Sequence, residues 1–399
     1  MNLTRRDFLR ASTLAALAPF APSVLCRAAL AAGPRRAGDD HTVLVVVQLS
    51  GGNDGLNCVV PYADDEYAKR RTTLRLTARE VLKLDDHLGL HPSLAEWRRL
   101  YDQGFASIVQ GVGYPKSSRG HPEAARDWQT AHPGDATWPT GWVGQIADQI
   151  CAHDSAAVPA ALIAPMAHPV ALTAERAIIP AFYTTNDATL PGDVARQPAP
   201  AGNPLLDYVR TTTAVARDHS RAIQAAASRA GTYPAMQLAH NLRTIANLIR
   251  ADVGFRILYV ELGGGDIGGF DNHAGQKDNH AALLHQFAGG VAAFMDDLRR
   301  DGLADRVLLM TISEFGRSLA ENGRRGTDHG AAAPVFLAGG RLKPGLIGPH
   351  PDLRQLDNGA LRHHTDFRSL YATVFDRWLG LDSQTILGEK FEPLDLFRS

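Results

Sequence analysis

The sequence predicts an α/β fold: a mainly parallel central sheet with helices on both faces and an inserted helical layer. Three observations carry this prediction. Val43–Leu49, Arg256–Leu262 and Arg306–Ile312 are short apolar runs of the kind found in strands buried on both faces. Helical patterns alternate with them, above all Asn279–Arg300, where Leu283, Leu284, Phe287, Val291, Phe294 and Leu298 line one face. Each run also leads into a Gly-containing segment bearing acidic or histidine residues, and an open α/β sheet places its ligand site at the carboxyl ends of its strands.

Taken in chain order, the first feature is a leader. Thr4-Arg5-Arg6-Asp7-Phe8-Leu9-Arg10 resembles a twin-arginine export signal, the apolar stretch Ala11–Leu25 follows, and Ala29-Leu30-Ala31 has the form of a cleavage site. Pro19 and Pro22 interrupt that stretch, which is short for a spanning helix, so no stable membrane anchor is expected. The expectation is a signal peptide over 1–31 and a linker over 32–41. The mature protein is then periplasmic or secreted, with the twin-arginine translocase as its partner during export. Of the mature cysteines, Cys58 reads as a small buried apolar residue, and a disulfide to Cys151 stays open.

Residues 42–399 are expected to form one domain, interrupted by an insertion at about 156–252. Leu90-His91-Pro92-Ser93 opens a helix, with Leu94, Trp97 and Leu100 at helical spacing, and Phe105–Gln110 is a further strand. His87 and His91 read as turn and capping residues. Within the insertion, Ala160–Ala164 and Val170–Leu172 are short strand-like pieces, Thr184–Pro204 is a loop rich in Pro and Ala, and Leu205–Arg229 and Tyr233–Ala251 are helical. Val335–Ala338 is another strand, and Asp366–Leu379 is a closing helix. At 45% hydrophobic and 21% charged residues the chain is globular, and its net charge of −1 excludes the basic footprint of a nucleic-acid binder.

The chemistry is concentrated in three landmarks. Asp54 lies in Gly-Gly-Asn-Asp-Gly, Asp271 and His273 in Gly-Phe-Asp-Asn-His, and Asp328 and His329 in Gly-Thr-Asp-His-Gly. One such motif is read as a turn with a capping Asp. Three of them at strand ends form a set of carboxylates and imidazoles suited to Zn, Mn or Fe. Glu314, directly after a strand, is a candidate ligand or a partner for Arg317. Arg119 and Arg317 are candidates to hold the oxygens of a phosphate or sulfate, because the planar guanidinium fork matches them; the alternative for each is a structural ion pair. His121, in the loop before a helix, is a general acid, a ligand or a cap. Gly263-Gly264-Gly265 lacks the frame of a nucleotide loop and is read as a flexible approach to Asp271.

These segments, with Leu90-His91-Pro92-Ser93-Leu94, Gly111-Val112-Gly113-Tyr114-Pro115 and Ser313-Glu314-Phe315-Gly316-Arg317, run in order over nearly the whole mature chain. Together they resemble the exported proteins with domain of unknown function 1501, a family similar to the alkaline phosphatase and sulfatase superfamily. The resemblance implies an alkaline-phosphatase-like fold and a divalent metal site of one or two ions, Zn or Mn. It implies that Asp54, Asp328 and His329 hold one metal and Asp271 and His273 a second, with His363 or His364 as a missing partner. In one respect the chain departs from the family: Ser118-Arg119-Gly120-His121 stands where the family has Ser-Arg-Ser-His, so Gly120 replaces the residue best placed as nucleophile. Ser118 or Ser117 then takes over, or hydroxide attacks directly, or the protein is not a catalyst. The expectation is an exported metal-dependent hydrolase acting on a small anionic phosphate or sulfate ester. The alternative is a non-catalytic envelope binding or assembly protein that keeps the fold.

Overall fold

The computed structural model describes residues 42–153, 157–163, 167–188, 218–263 and 269–398. The leader and linker, most of the Pro/Ala-rich loop, part of the first inserted helix and Gly264–Gly265 lie outside the described residues.

The elements that matter here are, in chain order, β1 (Val43–Leu49), α1 (Ala95–Asp102), β2 (Ala106–Gly113), α2 (His121–Thr130), α3 (Trp142–His153), β3 (Ala160–Ile163), β4 (Ala181–Phe182), α4 (Gln237–Ala251), β5 (Ile257–Leu262), α5 (Gln276–Arg300), β6 (Val307–Ile312), β7 (Arg317–Glu321), β8 (Thr327–His329), β9 (Ala333–Gly339), β10 (Gly345–Ile347), β11 (Thr365–Asp366) and α6 (Phe367–Thr373). A nine-stranded sheet runs in the order β10-β2-β9-β6-β1-β5-β3-β4, with β11 also paired to β2. Every pairing in it is parallel except those of β9, which is antiparallel to both β2 and β6. The exception has a simple cause. The antiparallel β7–β8 ribbon returns the chain beside β6, and only three residues separate β8 from β9. A parallel β9 would first need the chain to cross to the opposite edge of the sheet, which the ribbon and the three residues after it do not do.

β1 shows why the sheet has two cores. Its side chains alternate, so Val43, Val45, Val47 and Leu49 enter one apolar cluster and Leu44 and Val46 the other. The first cluster is covered by α1, α4 and α5 through residues such as Trp97, Leu242, Leu284 and Phe287. The second is covered by α3 and α6, through Trp142, Ile146, Leu370 and Tyr371. The closing helix widens into a π-helical stretch over Val374–Leu379 that still buries Val374, Phe375 and Trp378. The predicted α/β class, mainly parallel with helices on both faces, is the observed one. The segment 156–252 supplies more than helices: β3 and β4 lie within it and extend the sheet beyond β5.

β5, β1 and β6 are adjacent and parallel, with Val43 beside Val307 and Leu44 beside Ile257. Their carboxyl ends therefore open on one edge. Gly51–Asp54, Phe270–His273 and Ser313–Glu314 meet there because the sheet's register brings them together.

Candidate metal centre

The side chains at this edge gather around one oxygen, Asp271 Oδ1. His273 Nε2 and His329 Nε2 each lie 3.1 Å from it, and His121 Nε2 lies at 3.4 Å. His121, Asp271 and His329 offer ligand atoms that all fall within 4.8 Å of one another. His273 Nε2 and His329 Nε2 are themselves 2.9 Å apart.

What stands behind each ring sets its chemistry. His329 Nδ1 lies 2.6 Å from the carbonyl oxygen of Arg119, which can only accept, so the ring proton sits on Nδ1. His121 Nδ1 lies 2.9 Å from Glu314 Oε1. His273 Nδ1 faces Asp328 Oδ1 at 3.4 Å. In all three the second ring nitrogen is directed to an oxygen acceptor and Nε2 is turned toward Asp271. Metal-ligating histidines are held in this way: the outer partner fixes the tautomer and leaves an inward lone pair. The arrangement also has a deficit of positive charge. With the ring protons on Nδ1, two Nε2 lone pairs face each other across 2.9 Å, and among the described residues His121 Nε2 is buried without a hydrogen-bond partner. A cation among these nitrogens and Asp271 would satisfy them all. The donor set of imidazole nitrogen and carboxylate oxygen suits Zn or Mn.

Electrostatics keeps Asp271 ionised. Burial opposes its charge, but the hydrogen bond and the charge of Arg317 outweigh it and hold the carboxyl at about 2. The hydrogen bond to Glu314 raises His121 above the usual histidine range despite partial burial. The Phe315 ring packs against both His121 and His329, with centroids 4.9 and 4.5 Å away, and walls the cluster on its inner side.

The loops owe their geometry to glycine at two points. Gly51 has φ +110°, and a Cβ there would lie 2.4 Å from the Asp271 amide nitrogen. A Cβ on Gly326 would lie 2.3 Å from the His273 carbonyl carbon. Only a residue without a side chain lets these backbones meet.

Seven of the residues singled out in the sequence thus stand together: His121, Asp271, His273, Glu314, Arg317, Asp328 and His329. Glu314 and Asp328 stand behind histidines instead of beside the inward nitrogens, and Glu314 also accepts the Gly51 amide at 2.8 Å. Arg317 is corrected from an oxyanion holder to a structural residue. It is 1% exposed, and its donors go to the carbonyls of Gly51, Gly52, Phe270 and Thr327 and to Asp271 Oδ1. The Arg119 guanidinium is likewise occupied, by the carbonyls of Asp357 and Asn358.

Asp54 does not join the cluster. Its carboxylate accepts from Arg71 Nη1 and Nη2, at 2.5 and 2.9 Å, and from Gln276 Nε2, all of them buried. His364 is also elsewhere, against Gly111, with its nitrogens 2.8 Å from the Pro349 carbonyl and 3.0 Å from Thr365 Oγ1. Ser118 Oγ accepts the Gly120 amide. Gly120 itself has ordinary extended angles, φ −91° and ψ 134°, so the backbone does not demand glycine. The space a Cβ would take is filled by the Glu123 carboxylate, 2.4 Å away.

The sequence profile of a family described as a protein of unknown function, DUF1501, matches residues 41–392. The chain belongs to the DUF1501 family. No curated protein matches it. Solved structures similar to this DUF1501 chain include the lipoteichoic acid synthase LtaP from Listeria monocytogenes, at 11% identity, covering 95% of this chain and 80% of that one, with a TM-score of 0.37. A protein in the alkaline phosphatase superfamily from Vibrio parahaemolyticus is similar at 11% identity, over 93% of this chain and 78% of that one, with a TM-score of 0.38. The phosphonate monoester hydrolase SpPMH from Silicibacter pomeroyi is similar at 12% identity, over 88% and 77%, with a TM-score of 0.38.

Arg71 and Gln276 of the DUF1501 chain escape a reading of the sequence. Arg71 closes the charged stretch Asp64–Arg71, which has the look of a solvated helix face, yet it is 0% exposed. No local signal marks it, because its partners are 17 and about 250 residues away. Among the described residues no helix is long and apolar enough to cross a membrane.

Proposed function

We propose that this chain is an exported, metal-dependent hydrolase of phosphate or sulfate esters, with His121, Asp271, His273 and His329 as its metal-binding residues. The observation that carries the reading is the common orientation of three imidazoles, each backed by an oxygen acceptor at Nδ1 and each turned to Asp271 at Nε2. Convergence on one carboxylate oxygen favours a single ion over a separated pair. When bound, Zn or Mn supplies Lewis acidity at a phosphoryl or sulfuryl oxygen.

The protein's own groups have distinct parts in this reading. Glu314, Asp328 and the Arg119 carbonyl fix the tautomers of the three rings. Arg317 holds Asp271 in place and ionised. Asp271 is itself exposed, which leaves the cluster open to a soluble substrate. Export by the twin-arginine route accords with a protein that folds around its metal before it crosses the membrane.

Gly120, and the use of both candidate arginines on backbone carbonyls, favour a second reading: an envelope binding protein that keeps the metal without turnover. Metal analysis of protein purified from the periplasm, followed by assays on aryl phosphates and sulfates with added Zn or Mn, separates the two. The expected result is close to one ion per chain, ester turnover, and loss of both in His329→Ala. Full metal occupancy in His329→Ala would overturn the ligand set. Retained metal without turnover of any ester would favour the binding protein.

A further inference from the structure

A polar network that the metal-centre reading leaves unused lies under it. Asp54, Arg71, Gln276 and Thr327 are all buried, at 2%, 0%, 1% and 0% exposure. Thr327 Oγ1 donates to Gln276 Oε1 at 2.6 Å, and Gln276 Nε2 donates to Asp54 Oδ2. On the other side of the ion pair, Arg71 donates from Nε to the Leu319 carbonyl and from Nη2 to the Ser318 carbonyl, both at 2.9 Å. Ser318 and Leu319 belong to β7, which begins with Arg317. Thr327 opens β8, which continues into Asp328 and His329. Both strands of the ribbon that carries Arg317 and His329 are thus tied to one buried ion pair.

We infer that Asp54 is a positioning residue for the metal centre: through Gln276 and Thr327 it sets where β8 delivers His329 and Asp328. The inference rests on the reading that the His/Asp cluster holds a metal. β7 is also held on its own account, by Leu319 in a buried apolar cluster and by the Glu321 carboxylate, which accepts the amides of Thr73 and Leu74. β8 is three residues long and, among the described residues, pairs with β7 alone, at an irregular register. Its other anchors include the Thr327 amide on the Asn272 carbonyl, at 3.1 Å, Arg317 Nη1 on the Thr327 carbonyl, at 3.0 Å, the Asp328 amide on Ser318 Oγ, at 3.1 Å, and His329 Nδ1 on the Arg119 carbonyl, at 2.6 Å. Thr327 is the residue of β8 whose side chain is tied to the buried pair, so a shift there is passed along the strand to Asp328 and His329.

Thr327→Val removes the hydroxyl and keeps the shape, and Thr327→Ser keeps the hydroxyl. Each apo-protein is titrated with Zn against a chromophoric chelator, loaded with Co for its visible absorption, and melted without metal. Thr327→Val is expected to raise the Kd for Zn by about 10-fold or more, as loss of an outer support does, and to alter the Co spectrum. Thr327→Ser should bind within two-fold of the parent, roughly. If Thr327→Val does not fold, Gln276→Met carries the same expectation. Parental Zn affinity in the folded variant would overturn the proposal, as would a Thr327→Ser protein as weak as Thr327→Val. His329→Ala separates the two levels. If it loses metal while Thr327→Val does not, the positioning role alone falls; if it keeps metal, the ligand set falls first.

Discussion

Asp271 and Asp54 are both aspartates following a glycine-rich approach, and their surroundings give them different work. Asp271 is exposed and has one arginine nitrogen and three imidazoles about a single oxygen. Asp54 is buried, with a bidentate guanidinium and an amide on its carboxylate. Burial raises the Asp54 carboxyl, and Arg71 outweighs it, so its pKa is held below the ordinary carboxylate range. Removing one partner of such a pair strands a charge in the interior, which costs about 3–5 kcal/mol. Asp54→Ala is therefore expected to lower the free energy of unfolding in urea by about that much. The double variant Asp54→Ala/Arg71→Met should recover part of the loss. A single variant as stable as the parent would mean that Arg71 finds water or another acceptor.

At the scale of elements, three adjacent parallel strands supply the edge, and the loops after them must approach closely enough to share a site. The approach of Gly51 to Asp271 is backbone against backbone, so no side chain can yield to relieve it. A residue with a Cβ at φ +110° also carries a conformational cost of about 1–3 kcal/mol. Gly51→Ala should push the Phe270–His273 turn outward, lower the melting temperature and weaken metal binding. A variant with parental Zn affinity in a chelator competition would show that the close contact is dispensable. The strands themselves are legible in the sequence, since Val43–Leu49 needs only an apolar run between breaks. The direction of β9 is not, because it depends on the two-stranded ribbon that precedes it.

For the molecule as a whole, the interior beneath the site sets the response to acid. His280 and His91 lie close together, with ring centroids 5.9 Å apart, and burial lowers them to about 3 and about 4. Both are neutral in the folded chain and bind a proton near the ordinary value of ~6.5 once unfolded. A folded pKa below the unfolded one means the unfolded state takes up more protons on acidification. Stability is thus fully present above about pH 6.5 and is lost as pH falls towards the folded values, by about 1.4 kcal/mol per pH unit for each histidine. Asp54 adds a loss only at lower pH, as its depressed carboxyl is protonated. Urea unfolding of the metal-free protein between pH 7 and 4.5 should show this slope, and His280→Phe should flatten it. A flat profile in the parent would mean that the buried rings are protonated without penalty.

The α/β class, the strands that form the edge and most of the residues that meet there are legible in the amino-acid sequence, because apolar runs, helical periodicity and Asp/His motifs at strand ends are local signals. So is membership of the DUF1501 family, through short motifs in a fixed order. The folded chain alone turns Asp271 toward the histidines and buries Asp54 against Arg71 and Gln276. Asp54 and Asp271 occupy similar sequence settings, and their roles differ through Arg71 and Arg317, cations brought in from distant parts of the chain. Charge pairing of that kind is settled by packing in three dimensions, and residue spacing carries no record of it.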